Sequence, residues 1–272
     1  MLVPLYDLNP HRRWPWVTIL LIVVNSGILV SQGWAPSLDT VYHYGFVPKR
    51  LSQIGRDKPV VVPVLEQNAA GQLVPDPRQP PFTLSTAPAA VYLTFLTMMF
   101  LHGNWLHLVM NMWMLWIFGN NVEDRLGRFL YLCFYLLGGI VGTICQWAAA
   151  PESTMPVIGA SGAVAAVLGG YAITYPKAAV KTLMFFGLIM ILDLPALLVL
   201  GVWFILQMVA GLGVLPGLLG AEHIAFWAHI GGFVAGMVLM PVLSLGASPP
   251  DADWKREVQE LFQFDDPRTR VS

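Results

Sequence analysis

Charge is what this chain has least of: 11% of its 272 residues are Asp, Glu, Lys or Arg, against roughly 25% in an average soluble domain. With 56% hydrophobic residues and a mean hydropathy of +0.62, that shortage places the chain in the membrane class. Fifteen basic residues against sixteen acidic ones leave a net charge of −1, which excludes a surface basic enough to hold nucleic acid. Cysteine is scarcer still. Cys133 and Cys145 lie twelve residues apart in one apolar run, about 18 Å of helical rise and too far for a disulfide. Two thiols alone make no metal site. The six histidines form no His-Glu-x-x-His pattern, and the five-residue step from His102 to His107 puts them on different helix faces. A small-x-small cleavage pattern is also missing after the first apolar run, so no cleavable signal peptide is expected.

What the chain has instead is apolar length. Six segments suit spanning helices of about 17–25 residues: 15–33, 104–120, 128–148, 158–175, 195–213 and 223–244. Two apolar runs are too long for one span and need a break. Gly103-Asn104 supplies one, with Asn104 as a helix cap, which leaves 88–101 as an apolar loop element at the outer membrane face. Asp193-Leu194-Pro195 supplies the other; Asp caps and Pro suits a first turn, so a span begins near Pro195 and 182–192 becomes re-entrant or interfacial. The expected fold is an all-α membrane protein with six transmembrane helices. Its parts are a segment 1–14, a helical domain 15–244 with a long, irregular external loop 34–103, and a polar tail 245–272.

Basic residues in short loops set the orientation. Arg12 and Arg13 precede the first span, Arg125 and Arg128 separate the second from the third, Lys177 and Lys181 follow the fourth, and Lys255, Arg256, Arg268 and Arg270 lie in the tail. The connections 149–157 and 214–222 have no basic residue. Both termini are therefore expected on the cytoplasmic side, with the second, fourth and sixth spans all running inward from the outer face.

Polar groups inside a membrane are costly and mark either function or helix contact. His107 and Asn111 lie four residues apart, on one face of the second span; an interhelical hydrogen-bonding pair would look the same. Ser161 stands between Gly159 and Gly162 at the start of the fourth span. A helix N-terminus has free N–H groups and favours negative charge, which suits an oxyanion beside a nucleophile, although helix-packing glycines give the same Gly-x-Ser-Gly string. His229 lies about two turns into the sixth span. There Gly232 and Gly236 form a small-x-x-x-small pair opposite Gly162, Ala166 and Gly170 of the fourth. With these spans parallel, Ser161 and His229 reach a similar depth, about 5–10 Å below the outer face, and His107 and Asn111 share that level. The chemistry such a level supports is acyl transfer. Serine needs an adjacent base, His229 can take and return its proton, and His107, Asn111 and the N–H groups at Ser161 and Gly162 can face the oxyanion. Glu222, seven residues before His229, faces outer water and is given no triad role. His43 and His223 are left as surface or interfacial residues, and Trp105, Trp113, Trp116 and Trp147 as packing or interface anchors.

These residues resemble the rhomboid family of intramembrane serine proteases. FLHGNWLHLVMNMWMLWIFGNNVEDRLG resembles the family's second-span signature, His-x4-His-x3-Asn followed by Glu-x-Arg-x-Gly. GASGAVAAVLGGY resembles its nucleophile segment and AHIGGFVAG its sixth-span histidine motif; with PALLVLGVWFILQ in span five, the match runs from about Tyr92 to Met240. The resemblance implies a six-helix fold with a water-filled cavity open to the outer face. It also implies Ser161 as nucleophile, His229 as base, His107 and Asn111 in the oxyanion hole, and a structural role for His102. It implies no cofactor and no metal, and substrates that are single-span or other membrane proteins in the lipid bilayer, here placed in a bacterial cytoplasmic membrane. Two features depart from the pattern. Some bacterial members stack a tyrosine on the histidine from the position held here by Ala165, and the first loop lacks a Trp-Arg pair. The rival readings are a transporter or channel lined by these polar groups, against which no inverted repeat is evident, and an inactive relative that binds membrane clients.

Overall fold

The computed structural model describes residues 2–56, 58–67, 73–185, 189–212 and 225–245. The tail with its amphipathic stretch 254–264, the connection 214–222, Glu222 and His223 lie outside them. Each of the six apolar segments carries a helix: α1 (Trp16–Ser31), α5 (Trp105–Leu126), α6 (Arg128–Ala149), α7 (Ser161–Thr174), α8 (Ala196–Gly211) and α9 (Phe226–Leu243). Shorter helices α2 (Leu38–Tyr44), α3 (Pro48–Ser52) and α4 (Pro88–Thr97) fill the first long connection. Of the long helices, α6 and α9 are each long and apolar enough to cross a membrane, whereas α1, α7 and α8 are apolar but shorter.

Three expectations are corrected. The connection 34–103 is not irregular. Besides α2–α4 it holds two antiparallel ribbons, β2 (Val60–Val62) with β5 (Phe82–Leu84) and β3 (Leu65–Gln67) with β4 (Leu73–Pro75). The element 88–101 is a helix rather than a loop: Pro88 starts α4, a 3-10 turn Met98–Phe100 follows, and the chain then bends by 81° into α5. Asn104 is the cap at this break, accepting the His107 N–H at 2.9 Å, as the sequence suggested. Third, 182–192 departs from the all-α fold expected. It is a hairpin of β6 (Ala179–Phe185) and β7 (Ile189–Pro195), joined by β1 (Leu2–Asp7) in a three-stranded antiparallel sheet. Alternating β-branched and long apolar residues favour strands there, and Asp193 pairs with Lys181 at 3.0 Å instead of capping α8. A mostly helical body therefore carries three small sheets.

The centre is α7. Every residue from Gly162 to Ala172 is buried, and α5, α6, α8 and α9 pack around it. Small residues allow this. A Cβ added at Gly232 would lie 2.1 Å from the Gly162 carbonyl oxygen, and one at Gly236 1.9 Å from that of Ala166. Gly169 comes as near to Phe233, while Gly170 faces Phe134 and Met240. Contact positions rise together along both helices, so α7 and α9 run parallel.

Polar clasps hold the outer helices. The Glu123 carboxylate on α5, 3% exposed, accepts the N–H groups of Val17 and Thr18 at 3.0 and 2.8 Å and the Thr18 hydroxyl at 2.9 Å. It thereby satisfies orphan donors at the start of α1 and meets its positive end. At the end of α7 away from Ser161, Asp7 Oδ2 accepts the Asn121 amide at 2.7 Å and the Tyr171 hydroxyl at 2.8 Å. The Trp113 indole N–H donates to the Pro4 carbonyl at 2.8 Å. Segment 1–14 is thus stitched to the helical body.

Two outcomes follow. Gly169→Ala and Gly236→Ala, which force a methyl into backbone, each cost about 1–3 kcal/mol, whereas Gly201→Ala, with nothing within 4 Å of its added Cβ, costs nothing measurable; thermal unfolding in detergent separates them. Burial pushes the Asp7 carboxyl up to about 7, against the pull of its Tyr171 hydrogen bond. Between about pH 4 and 7 the folded protein then keeps a proton that the unfolded chain has released, so this group lowers stability as pH rises through that window. The Tm of the parent should fall relative to that of Asp7→Asn between about pH 4.5 and 7.5; an unchanged difference refutes the assignment.

Candidate active site

The loop before α7 is bridged to the first connection, Phe46 pairing with Val157, and the Gly159 N–H donates to the Met98 carbonyl at 2.9 Å. Gly159 has φ +120, a conformation open to glycine and strained for other residues. A Cβ there would lie 2.8 Å from the His107 ring and 3.7 Å from Ser161 Oγ, so the glycine is the gap through which the ring and the hydroxyl approach one another. The first intrahelical bond of α7 runs from Val164 N–H to Ala160. The N–H groups of Ser161 and Gly162 precede it, at the positive end of the helix.

Parallel packing of α7 and α9 brings Ser161 and His229 together: Ser161 Oγ lies 2.7 Å from His229 Nε2. The histidine is 9% exposed. Its other nitrogen, Nδ1, lies 2.8 Å from Oε1 of Gln207 on α8. The Trp203 ring stands 6.0 Å from the imidazole at 33°, and Phe226 meets it edge-on at 6.4 Å. At Ala165, where a tyrosine could have stacked, there is only a buried methyl; the support comes from α8.

The remaining candidates are placed differently. His107 is beside Gly159, with the ring of buried His102 edge-on at 5.1 Å. Asn111 is buried on the same face of α5, but its amide donates to the His107 carbonyl at 2.9 Å. That hydrogen bond lies within its own helix and leaves the second amide N–H for another acceptor. Gly162 packs close to the Ala228 backbone. Among the described residues no three His, Cys, Asp or Glu side chains are grouped to hold a metal ion.

Sequence reasoning missed Gln207 and Trp203. The signal was present: Gln207 interrupts the apolar run of α8 one turn after Trp203, and a lone amide among apolar residues of a membrane-type helix calls for a partner. The partner is on another helix, which no local pattern discloses.

The central feature is a helical core around a glycine-flanked serine, with a histidine on a neighbouring parallel helix within hydrogen-bond distance of it, in a mostly helical chain with apolar helices of membrane-spanning type. The family model described as Rhomboid domain matches residues 89–246, and the chain belongs to the rhomboid family. It is 34% identical over 157 residues to "Rhomboid-like protein 11, chloroplastic" of Arabidopsis thaliana, covering 55% of this chain and 52% of that protein. It is 32% identical over 99 residues to "Presenilin-associated rhomboid-like protein A, mitochondrial" of Danio rerio, covering 36% and 26%. The chain thus spans about half the length of the plant relative and about a quarter of the fish one. Their names place these relatives in chloroplast and mitochondrion, which lends no support to the expected bacterial cytoplasmic membrane.

The Gly159 geometry can be tested by a cycle. Gly159→Ala should lower stability by about 1–3 kcal/mol through backbone strain and contact with the ring. Adding His107→Ala should return the part due to the ring, a coupling that thermal unfolding of the double variant reads directly.

Proposed function

We propose that this chain is an intramembrane serine endopeptidase that hydrolyses peptide bonds in or near transmembrane segments of other membrane proteins. The observation that carries the reading is the 2.7 Å approach of Ser161 Oγ to His229 Nε2 at the N-terminus of α7. His229 takes the hydroxyl proton as Oγ bonds to the scissile carbonyl carbon, and the carbonyl oxygen becomes an oxyanion. The N–H groups of Ser161 and Gly162 face that oxygen, and the His107 ring lies beside it. Asn111 serves there once its side chain turns from the His107 carbonyl. Collapse expels the amine, which takes the proton from His229; water then repeats the sequence and frees the serine. Each step uses groups of this chain, side-chain and backbone, together with the water that is consumed.

The membrane arrangement belongs to the same proposal: α1, α5, α6, α7, α8 and α9 span, with both termini on the cytoplasmic side. Outward faces support it, since Val109, Trp116, Ile144, Ile205 and Val238 are all exposed, a surface suited to lipid rather than water. The 14 residues of α7 rise about 21 Å, short of a hydrocarbon core about 30 Å thick. Its N-terminus therefore begins below the surface, with the preceding loop closing the distance. A serine so placed needs water led down to it.

Purified protein in detergent or liposomes, given a single-span reporter and a serine-reactive fluorophosphonate, tests the reading. Ser161→Ala should abolish both labelling and cleavage, and His229→Ala should lower cleavage by at least about 10³-fold. His107→Ala should lower kcat by about 10²–10³-fold if its ring faces the oxyanion. Cleavage by Ser161→Ala and His229→Ala at the parental rate would leave a binding or transport role instead.

A further inference from the structure

We infer that Gln207 is a positioning residue for the base: its side-chain oxygen holds the Nδ1–H tautomer of His229 and aims Nε2 at Ser161. The inference rests on the protease reading above and names what replaces the aromatic support missing at Ala165.

The geometry is a relay across three helices. Gln207 Oε1 on α8 lies 2.8 Å from Nδ1, and Ser161 Oγ on α7 lies 2.7 Å from Nε2 of the α9 histidine. A carbonyl-type oxygen can only accept, so the proton of the neutral imidazole sits on Nδ1. Nε2 then presents its lone pair to the serine hydroxyl, the tautomer a general base requires; the opposite tautomer would place an N–H against Oγ. Two hydrogen bonds on opposite edges also fix the plane of the ring, and Trp203, one turn before Gln207, covers its face at 6.0 Å. Thus α8 supplies both the edge and the face that hold the base.

An amide differs from a carboxylate in this position. It selects the tautomer and steers the ring, as the Asn of a Cys-His-Asn arrangement does, but it carries no charge to stabilise the imidazolium formed during attack. The titratable side chain that faces this pair from α5 is His107, across Gly159 from Ser161. The groups packed on the ring from α8 and from α9 itself, Trp203 and Phe226, are neutral. A bare hydrophobic interior at position 207 would leave the Nδ1–H without its partner and the ring free to turn.

The test uses the full chain with the reporter and probe already described, comparing the parent, Ser161→Ala, Gln207→Leu and Gln207→Glu. Gln207→Leu, which keeps volume but cannot accept, should lower kcat about 10–100-fold with KM within about twofold. Gln207→Glu should restore kcat to within a fewfold of the parent and move the acid limb of the kcat/KM profile to higher pH by about a unit, because a carboxylate favours the imidazolium. A purely structural glutamine would instead lower Tm without moving that limb. Parental kcat in Gln207→Leu, or an acid limb unmoved in Gln207→Glu, overturns the inference while leaving the protease reading intact. A parent no more active than Ser161→Ala overturns both. If Gln207→Leu unfolds, the profile of Gln207→Glu decides alone.

Discussion

At Gly232 and Gly236 the backbone of α9 comes so near α7 that an added methyl would lie about 2 Å from a carbonyl oxygen. Side chains have been removed from this seam so that main chain meets main chain, and no adjustment of rotamers could substitute for that. The same seam decides where Ser161 and His229 sit. With Gly232 against Gly162 and Gly236 against Ala166, parallel helices carry His229 to the first turn of α7, opposite Ser161. Dispersion between closely fitted helices supplies the cohesion where hydrophobic burial discriminates little. A shift of one turn along this seam, about 5.4 Å, would part the serine from its neighbour.

Around that centre the chain uses charge sparingly and at ends. Glu123 joins α5 to the start of α1 by accepting three hydrogen bonds from Val17 and Thr18. Asp7 joins β1 to α5 and α7 through Asn121 and Tyr171. Both carboxylates are kept among donors, which is how a sequence with so few charges can bury some of them. The sheet β1–β6–β7 fastens the start of the chain to the connection between α7 and α8. The two helices that carry Ser161 and Gln207 are therefore joined by one β-structured connection.

The pair itself divides its needs among separate elements. α7 provides the serine and helix-end N–H groups, α5 the His107 ring across Gly159, and α9 the histidine. α8 contributes the residues that touch His229 from its far side. The outward face of α8 is exposed at Leu197, Leu198, Ile205 and Leu206, so the helix is attached along one stripe, and Trp203 and Gln207 lie on that stripe. The side chains that contact His229 Nδ1 and the face of its ring thus come from a peripheral helix rather than from the central one.

Much of this could be read before any coordinates. Apolar length located all six long helices to within a few residues, because period and composition are local properties. Asn104 capped α5 as its side-chain chemistry requires, and the glycine series on α7 and α9 signalled close packing. Local rules failed where pairing is non-local. Residues 182–192 are as apolar as a membrane element, and their pairing strand to strand in the hairpin, extended by β1 from the far end of the chain, makes them a sheet. Asp193 had the right chemistry for a cap but found Lys181 across the hairpin. By itself, then, the sequence determined the class of protein and the helices and singled out Ser161 and His229, since each rests on hydropathy, spacing or a side chain's own chemistry. Only the tertiary structure decided that Gln207 and Trp203 hold the histidine and that Gly159 leaves room for His107. Those contacts join residues on different helices, and a hydrogen bond between helices is a fact about distance that no single stretch of sequence contains.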